Sequence, residues 1–386
     1  MSKKIKRTKF STYSEMVDNL MQKNLSIESK RLAIELLKSR GYYNLVNRYK
    51  HEFYTDNNRY QEHTSIMDLY LFHRMEDDLR NILFRFTINF EQRFKEAMAY
   101  ILSKNYGIYE ADYLDPLRYR KNKRNKAISI MGEICDIAFH SSNNPTQYYR
   151  KNYDSIPPWI VLSNTTLGQA RMWFLIFPAK LTDYVVSQLL PIHDFFSPSD
   201  EDSLYEFKAS LISYEELETI KTDSEYDKII RERFNLYIDL FKSMLNIIHT
   251  FRNNLAHGNR LIHFTTKRPL NIRPLRKFAN TNVFTDEEYY KKQLSKNDLF
   301  AFMVSLMILL DKYDSLYLLD QLKSWKERNS KDPKTEVSFK KFISSCNLPI
   351  DFIERLSYIS TERVYQENNQ RKLTDLGLYP ENRTFY

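Results

Sequence analysis

Apolar residues recur along most of this chain at alternating spacings of three and four, the mark of helices that bury one face. The clearest run goes from Arg231 to His257, where Phe234, Ile238, Phe241, Leu245, Ile248 and Leu255 form a stripe with one gap. Arg252 fills that gap. A guanidinium on a buried face is costly unless it is paired or the face opens onto a charged ligand. At about 100° per residue, Asn246, His249, Asn253 and His257 line a second, polar stripe beside the apolar one. Gly258 is placed to end the helix in a left-handed cap, which leaves His257 in the last turn, where the helix dipole favours its protonated form. A guanidinium, an amide and a titratable histidine are the parts needed to attack a phosphodiester. The same residues also fit a plainer role, a buried arginine paired with a carboxylate and a capping histidine.

The rest of the pattern predicts an all-α protein. Thr12 with Glu15, Ser65 with Asp68, Thr222 with Glu225 and Ser295 with Asp298 have the spacing of capping boxes. A long helix runs from Ser65 to Asn105 with Phe72, Leu79, Leu83, Phe86, Phe90 and Ala97 on one face, and stops before Gly107. Its expected core neighbours are the 231–257 helix and a helix from Lys296 to Tyr313. Residues 11–55 read as three short helices, 140–158 as loop, 191–226 as an acidic insertion or linker, and the tail as short helices over Phe339–Cys346 and Ile350–Ile359. The domain reading is a helical N-terminal segment over 1–60, possible helix-turn-helix in layout; a main helical domain over 61–315; and a helical tail over 316–386.

Composition narrows the function classes. Of 386 residues only 6 are glycine, and none lies within twenty of another, so neither a dinucleotide fingerprint nor a P-loop can form. Cys135 and Cys346 stand far apart without a C-x-x-C partner, which argues against zinc knuckles and disulfide frameworks and for a reducing cytoplasm. The longest apolar run, Leu299 to Leu310, is too short to cross a bilayer, and no apolar segment follows the basic start. The expectation is a cytoplasmic protein with no metal, no cofactor and no membrane partner.

Net charge is +9, and its distribution matters more than its sum. Arg118, Arg120, Lys121, Lys123, Arg124 and Lys126 fall within nine residues around Tyr119. A second cluster, Lys267, Arg268, Arg273, Arg276 and Lys277, is broken by Pro269 and Pro274 and reads as a loop; Lys3 to Lys9 adds a third. Acidic residues gather elsewhere, around 200–202 and 215–227. Segregated basic clusters bind phosphate backbones through counterion release, so RNA is the expected partner, with Lys267 and Arg268 beside the 118–126 run as its contacts. For any one cluster a solvated surface is the competing reading.

The Arg252-Asn253-x-x-x-His257 string resembles the arginine–histidine motif of HEPN-domain ribonucleases. Further segments resemble Abi-like (AbiD/AbiF-type) abortive-infection proteins: Leu36-Leu37-Lys38-Ser39-Arg40-Gly41-Tyr42-Tyr43-Asn44-Leu45 with Tyr49, Phe90-Glu91-Gln92-Arg93-Phe94, and Pro158-Trp159-Ile160-Val161-Leu162 followed by Leu167-Gly168-Gln169. The resemblance implies a HEPN-like helical bundle with N- and C-terminal helical appendages, acting as a dimeric, metal-independent endoribonuclease and a toxin in phage defence. A small non-coding RNA restrains the toxin in related systems. On that reading Arg252, Asn253 and His257 are catalytic, with the RNA's 2′-hydroxyl as nucleophile, and His249 is a supporting or interface residue. Glu91 and Arg93 read as structural, with the orienting of Arg252 as the alternative role for Glu91, and the other histidines, His73 among them, carry no motif. The competing class is a catalytically silent RNA-binding or partner-binding protein.

Overall fold

The structure, a computed structural model, describes residues 10–192 and 200–360, so the basic run Lys3 to Lys9 lies outside the described residues. Eleven helices carry the architecture. They are α1 (Tyr13–Gln22), α2 (Lys30–Arg40), α3 (Ile66–Tyr106), α4 (Arg124–His140), α5 (Pro158–Ser163), α6 (Leu167–Phe174), α7 (Ala179–Leu189), α8 (Asp223–Ala256), α9 (Leu299–Leu309), α10 (Lys312–Asn329) and α11 (Pro333–Ser345). The described residues hold no strand, only isolated bridges between Ser26 and Ser65 and between Tyr54 and Tyr60, so the fold is all-α.

Ser65 starts α3 through a complete capping box with Asp68, and Gly107 ends it at a φ of 85°. Between them 41 residues run without a break, and Phe72, Leu79, Leu83, Phe86 and Phe90 are fully buried along the helix. α3 is the axis of the molecule: α5, α6, α7, α8, α9, α10 and α11 all pack on it. α9 is apolar on every side and every one of its residues is buried, which makes it the innermost element. Its Phe302 stacks on Phe251 of α8 with centroids 4.6 Å apart and planes 3° from parallel. Among the described residues no helix is long and apolar enough to cross a membrane.

Several boundaries differ from the sequence reading for identifiable reasons. The helix expected from Lys296 to Tyr313 is two elements. Asp298, rather than Ser295, is the N-cap of α9, since Ser295 sits at a φ of 61°. Leu310 then turns extended and Asp311 caps α10 by accepting the amides of Tyr313 and Asp314. The 140–158 stretch holds a short helix, Thr146–Asn152. Within 191–226, residues Asp200–Ala209 are helical, and Phe207 packs against Phe234, Tyr237 and Phe278. α11 begins earlier than expected, because Asp332 caps it and Pro333 occupies its first position, where a missing N–H costs nothing. Residues 352–360 are helical as well.

Candidate functional site

α8 buries Phe234, Ile238, Phe241, Leu245, Ile248 and Leu255 as the spacing required. Arg252 interrupts that stripe and is answered by a carboxylate: its Nε lies 3.5 Å from Glu91 Oε2 on α3, an ion pair without hydrogen-bond geometry. The guanidinium also lies 5.8 Å above the Phe84 ring. The other Glu91 oxygen accepts from Lys95 Nζ at 2.7 Å, and the same ammonium donates to the Thr165 carbonyl. Glu91 is buried, so two cations share one desolvated carboxylate and neither is left without a counter-charge. Arg252, Glu91 and Lys95 line a cleft of about 390 Å³ with Trp159 and Ser163 from α5.

The polar stripe lies about 100° round the helix from Arg252. Asn253 Nδ2 donates to His249 Nε2 at 3.2 Å, which puts the proton of a neutral His249 on Nδ1. Burial holds the His249 pKa below the ordinary histidine value, and the nearby Arg171 and Arg252 push it the same way. Arg171 of α6 donates to Asn246 Oδ1 at 2.9 Å. Burial and the neighbouring Arg268 lower the pKa of Arg171. Arg171, with Arg268 near it, and Arg252 thus place positive charge about His249, which is held towards its neutral form. The sequence reading missed Arg171 as a member; its signal was its place just after Leu167-Gly168-Gln169.

His257 is the C-cap residue of α8, followed by Gly258 at a φ of 63°. Its imidazole is exposed and makes no hydrogen bond or ion pair with a described residue. Within one chain, no such contact joins it to Arg252 or Asn253. The loop beyond it is held firmly, however. Buried Glu76 of α3 accepts the amides of Leu261 and Ile262 on one oxygen, at 2.6 and 3.4 Å. Its other oxygen accepts from Tyr49, Arg48 and Arg80. Arg48 donates onward to the Gly258 carbonyl at 2.7 Å and Arg80 to that of Asn259 at 3.2 Å. Burial and the Glu76 charge push the Tyr49 hydroxyl pKa well up, so it stays a donor.

The 118–126 run divides in two. Arg120 donates to the Phe177 carbonyl at 2.5 Å, Lys123 to that of Leu175 at 2.8 Å and Arg124 to that of Pro116 at 2.6 Å. Arg118 pairs with Asp112. Lys121 and Lys126 are exposed, as are Lys267 and Arg268. Among the described residues no group of His, Cys, Asp and Glu side chains has the arrangement of a metal site.

Segments that resemble abortive-infection proteins are those that build the site: 90–94 supplies Glu91, 158–162 the cleft wall, 167–169 the face against His249. No curated protein and no solved structure matched the chain. Residues 35–263, more than half of it, match the family described as Abi-like protein, and the chain belongs to that family.

Proposed function

We propose that this chain is a HEPN-type, metal-independent endoribonuclease that acts in the cytoplasm as a toxin in abortive infection, the role the family's name suggests. One observation carries the reading: Arg252 reaches an open cleft and His257 an open surface, at the end of a helix otherwise given to the core. In the reaction the RNA 2′-oxygen bonds to the adjacent phosphorus and loses its proton to one His257. The P–O5′ bond breaks, and the leaving oxygen takes a proton from a second His257 in a twofold-related copy. Products are a 2′,3′-cyclic phosphate and a 5′-hydroxyl. Arg252 stabilises the charge on the phosphorane-like transition state, and Asn253 positions the phosphate or the histidine. A small non-coding RNA on the same basic surface would restrain the toxin.

The test is cleavage of RNA by purified protein in EDTA, with end-group analysis. Cyclic-phosphate ends are expected, with activity lowered roughly 10²–10⁴-fold in His257→Ala. Products with 5′-phosphates formed only with magnesium would overturn the reading. A second reading has its own observation: Arg252 has its counter-charge in Glu91 and Asn253 is bonded to His249, so each has a partner within one chain. That state suits a silent RNA-binding or partner-binding protein, for which the wild type leaves RNA uncut and His257→Ala changes nothing.

A further inference from the structure

A cavity of about 530 Å³ opens beside the end of α8, within the range of small-ligand sites. Tyr43, Asn47, Arg48, Lys50, His51, Asn259 and Arg260 line it, and no acidic side chain does. Arg48 is neutralised by Glu76, but Lys50 makes no ion pair with a described residue. Among the described residues Arg260 donates only to the Arg48 carbonyl, at 3.2 Å. Two cationic side chains therefore face the cavity without a carboxylate partner.

The wall is built with unusual backbone. Tyr43–Asn47 is a π-helical turn, closed by the Arg48 amide bonding to the Tyr43 carbonyl at 3.0 Å. Such turns cost stability relative to an α-turn and persist mostly where they place a side chain for use. Here the turn buries Leu45 and Val46 and leaves Tyr43 71% exposed at the rim. Its ring stacks on no described aromatic.

Asn259 follows His257 by two residues, so its backbone lies within about 7 Å of it along the chain. We propose that this cavity holds one nucleotide unit of single-stranded RNA next to the scissile phosphate, with its phosphate on Lys50 and Arg260 and its base on the face of Tyr43. The proposal rests on reading the chain as an RNA-cleaving protein and adds a subsite to it. An aromatic face with flanking cations takes any base, so the subsite contributes affinity and register rather than sequence choice.

The probe is a short fluorescent single-stranded RNA, 2′-O-methylated so that it cannot be cut, titrated by anisotropy over a range of salt. Tyr43→Ala should weaken binding roughly five- to hundredfold, and Tyr43→Phe should restore it. Lys50→Gln and Arg260→Gln should each lower the salt slope by about 0.7. Tyr313→Ala, removing an equally exposed ring at the start of α10, should change nothing. Wild-type protein that cuts RNA, with cavity variants that bind the probe as tightly as it does, overturns the subsite and leaves the nuclease reading standing. Cavity variants that lose the probe, with a wild type that never cuts, remove the nuclease reading and keep the subsite. A wild type that binds no probe removes both.

Discussion

Gly168 faces His249 so closely that a Cβ at position 168 would lie 3.0 Å from Nε2. Ordinarily a glycine inside a helix is improved by alanine, by about 1 kcal/mol. Here the added methyl must displace the imidazole that Asn253 bonds to, and overpacking of that kind costs roughly 1–3 kcal/mol. Gly168→Ala should therefore fail to stabilise the protein and should lower its melting temperature. In a His249→Ala background the same change should raise it. A stabilising Gly168→Ala in the wild type would show that the α6–α8 contact is looser than this.

Features that depend on near neighbours in sequence were legible without a structure. The Thr12–Glu15 and Ser65–Asp68 boxes form as spaced, and the α8 stripe is buried residue for residue. Glu76 was not legible, because its partners are the 258–262 loop and Arg48, and Arg48 reaches Gly258 across 210 positions. Nothing local marks a residue as the hub of contacts that only folding creates. Glu91 was read as structural, with the orienting of Arg252 as the alternative, and the fold sets the two in an ion pair. Counting cations in the 118–126 run also could not separate those bonded to carbonyls from those facing water.

That separation makes its own prediction. Arg120 and Lys123 donate to carbonyls at the end of α6 and the turn into α7, whereas Lys121 and Lys126 are exposed. Lys121→Gln with Lys126→Gln should leave stability within about 0.5 kcal/mol of wild type while reducing the salt slope of RNA binding. Arg120→Ala should lower stability by about 1–3 kcal/mol, since it removes the charged donor that the Phe177 carbonyl accepts from beside the Thr182 hydroxyl. Urea unfolding and salt titration of binding separate the two pairs. Equal stability loss in both would mean that the run is structural throughout.

Glu76→Ala removes one carboxylate from under two buried guanidinium groups and two loop amides. Breaking a buried pair in this way costs about 3–5 kcal/mol. The change should also speed hydrogen exchange at Leu261 and Ile262 under native conditions, before global unfolding contributes. Unchanged protection at those two amides would mean that the loop is held by packing alone.

Asp298 supplies a pH dependence. Burial raises its pKa to about 6, against the opposing pull of the Ala301 and Ser295 amides. The folded value lies above the unfolded one, so the protonated carboxyl favours the native state. Its contribution is complete below about pH 4 and is lost as pH rises through about 6, an effect on the order of 3 kcal/mol. Asp298→Asn should flatten that part of the stability profile. Wild type and variant running parallel between about pH 4 and pH 7 in urea titrations would show that Asp298 ionises freely in the fold.

The last prediction concerns a second copy. By its spacing the polar stripe of α8 could face the same helix of a second copy, yet its first half is covered by its own chain: Asn246 is bonded by Arg171 and His249 lies against Gly168. What remains open is the last turn, with His257 exposed and without a partner among the described residues. On the nuclease reading one histidine cannot easily serve both proton transfers, so two His257 side chains must meet across a twofold axis at that turn. Such an encounter gathers positive charge from both protomers at one place, and bound RNA should then stabilise the dimer by linkage. Following sedimentation and cleavage together through a dilution series tests this. Specific activity should fall as the dimer dissociates, and mixing His257→Ala with wild-type protein should lower activity in proportion to the heterodimer formed. Full specific activity in a sample shown to be monomeric would eliminate the composite site and leave a single His257 to act as base and acid in turn.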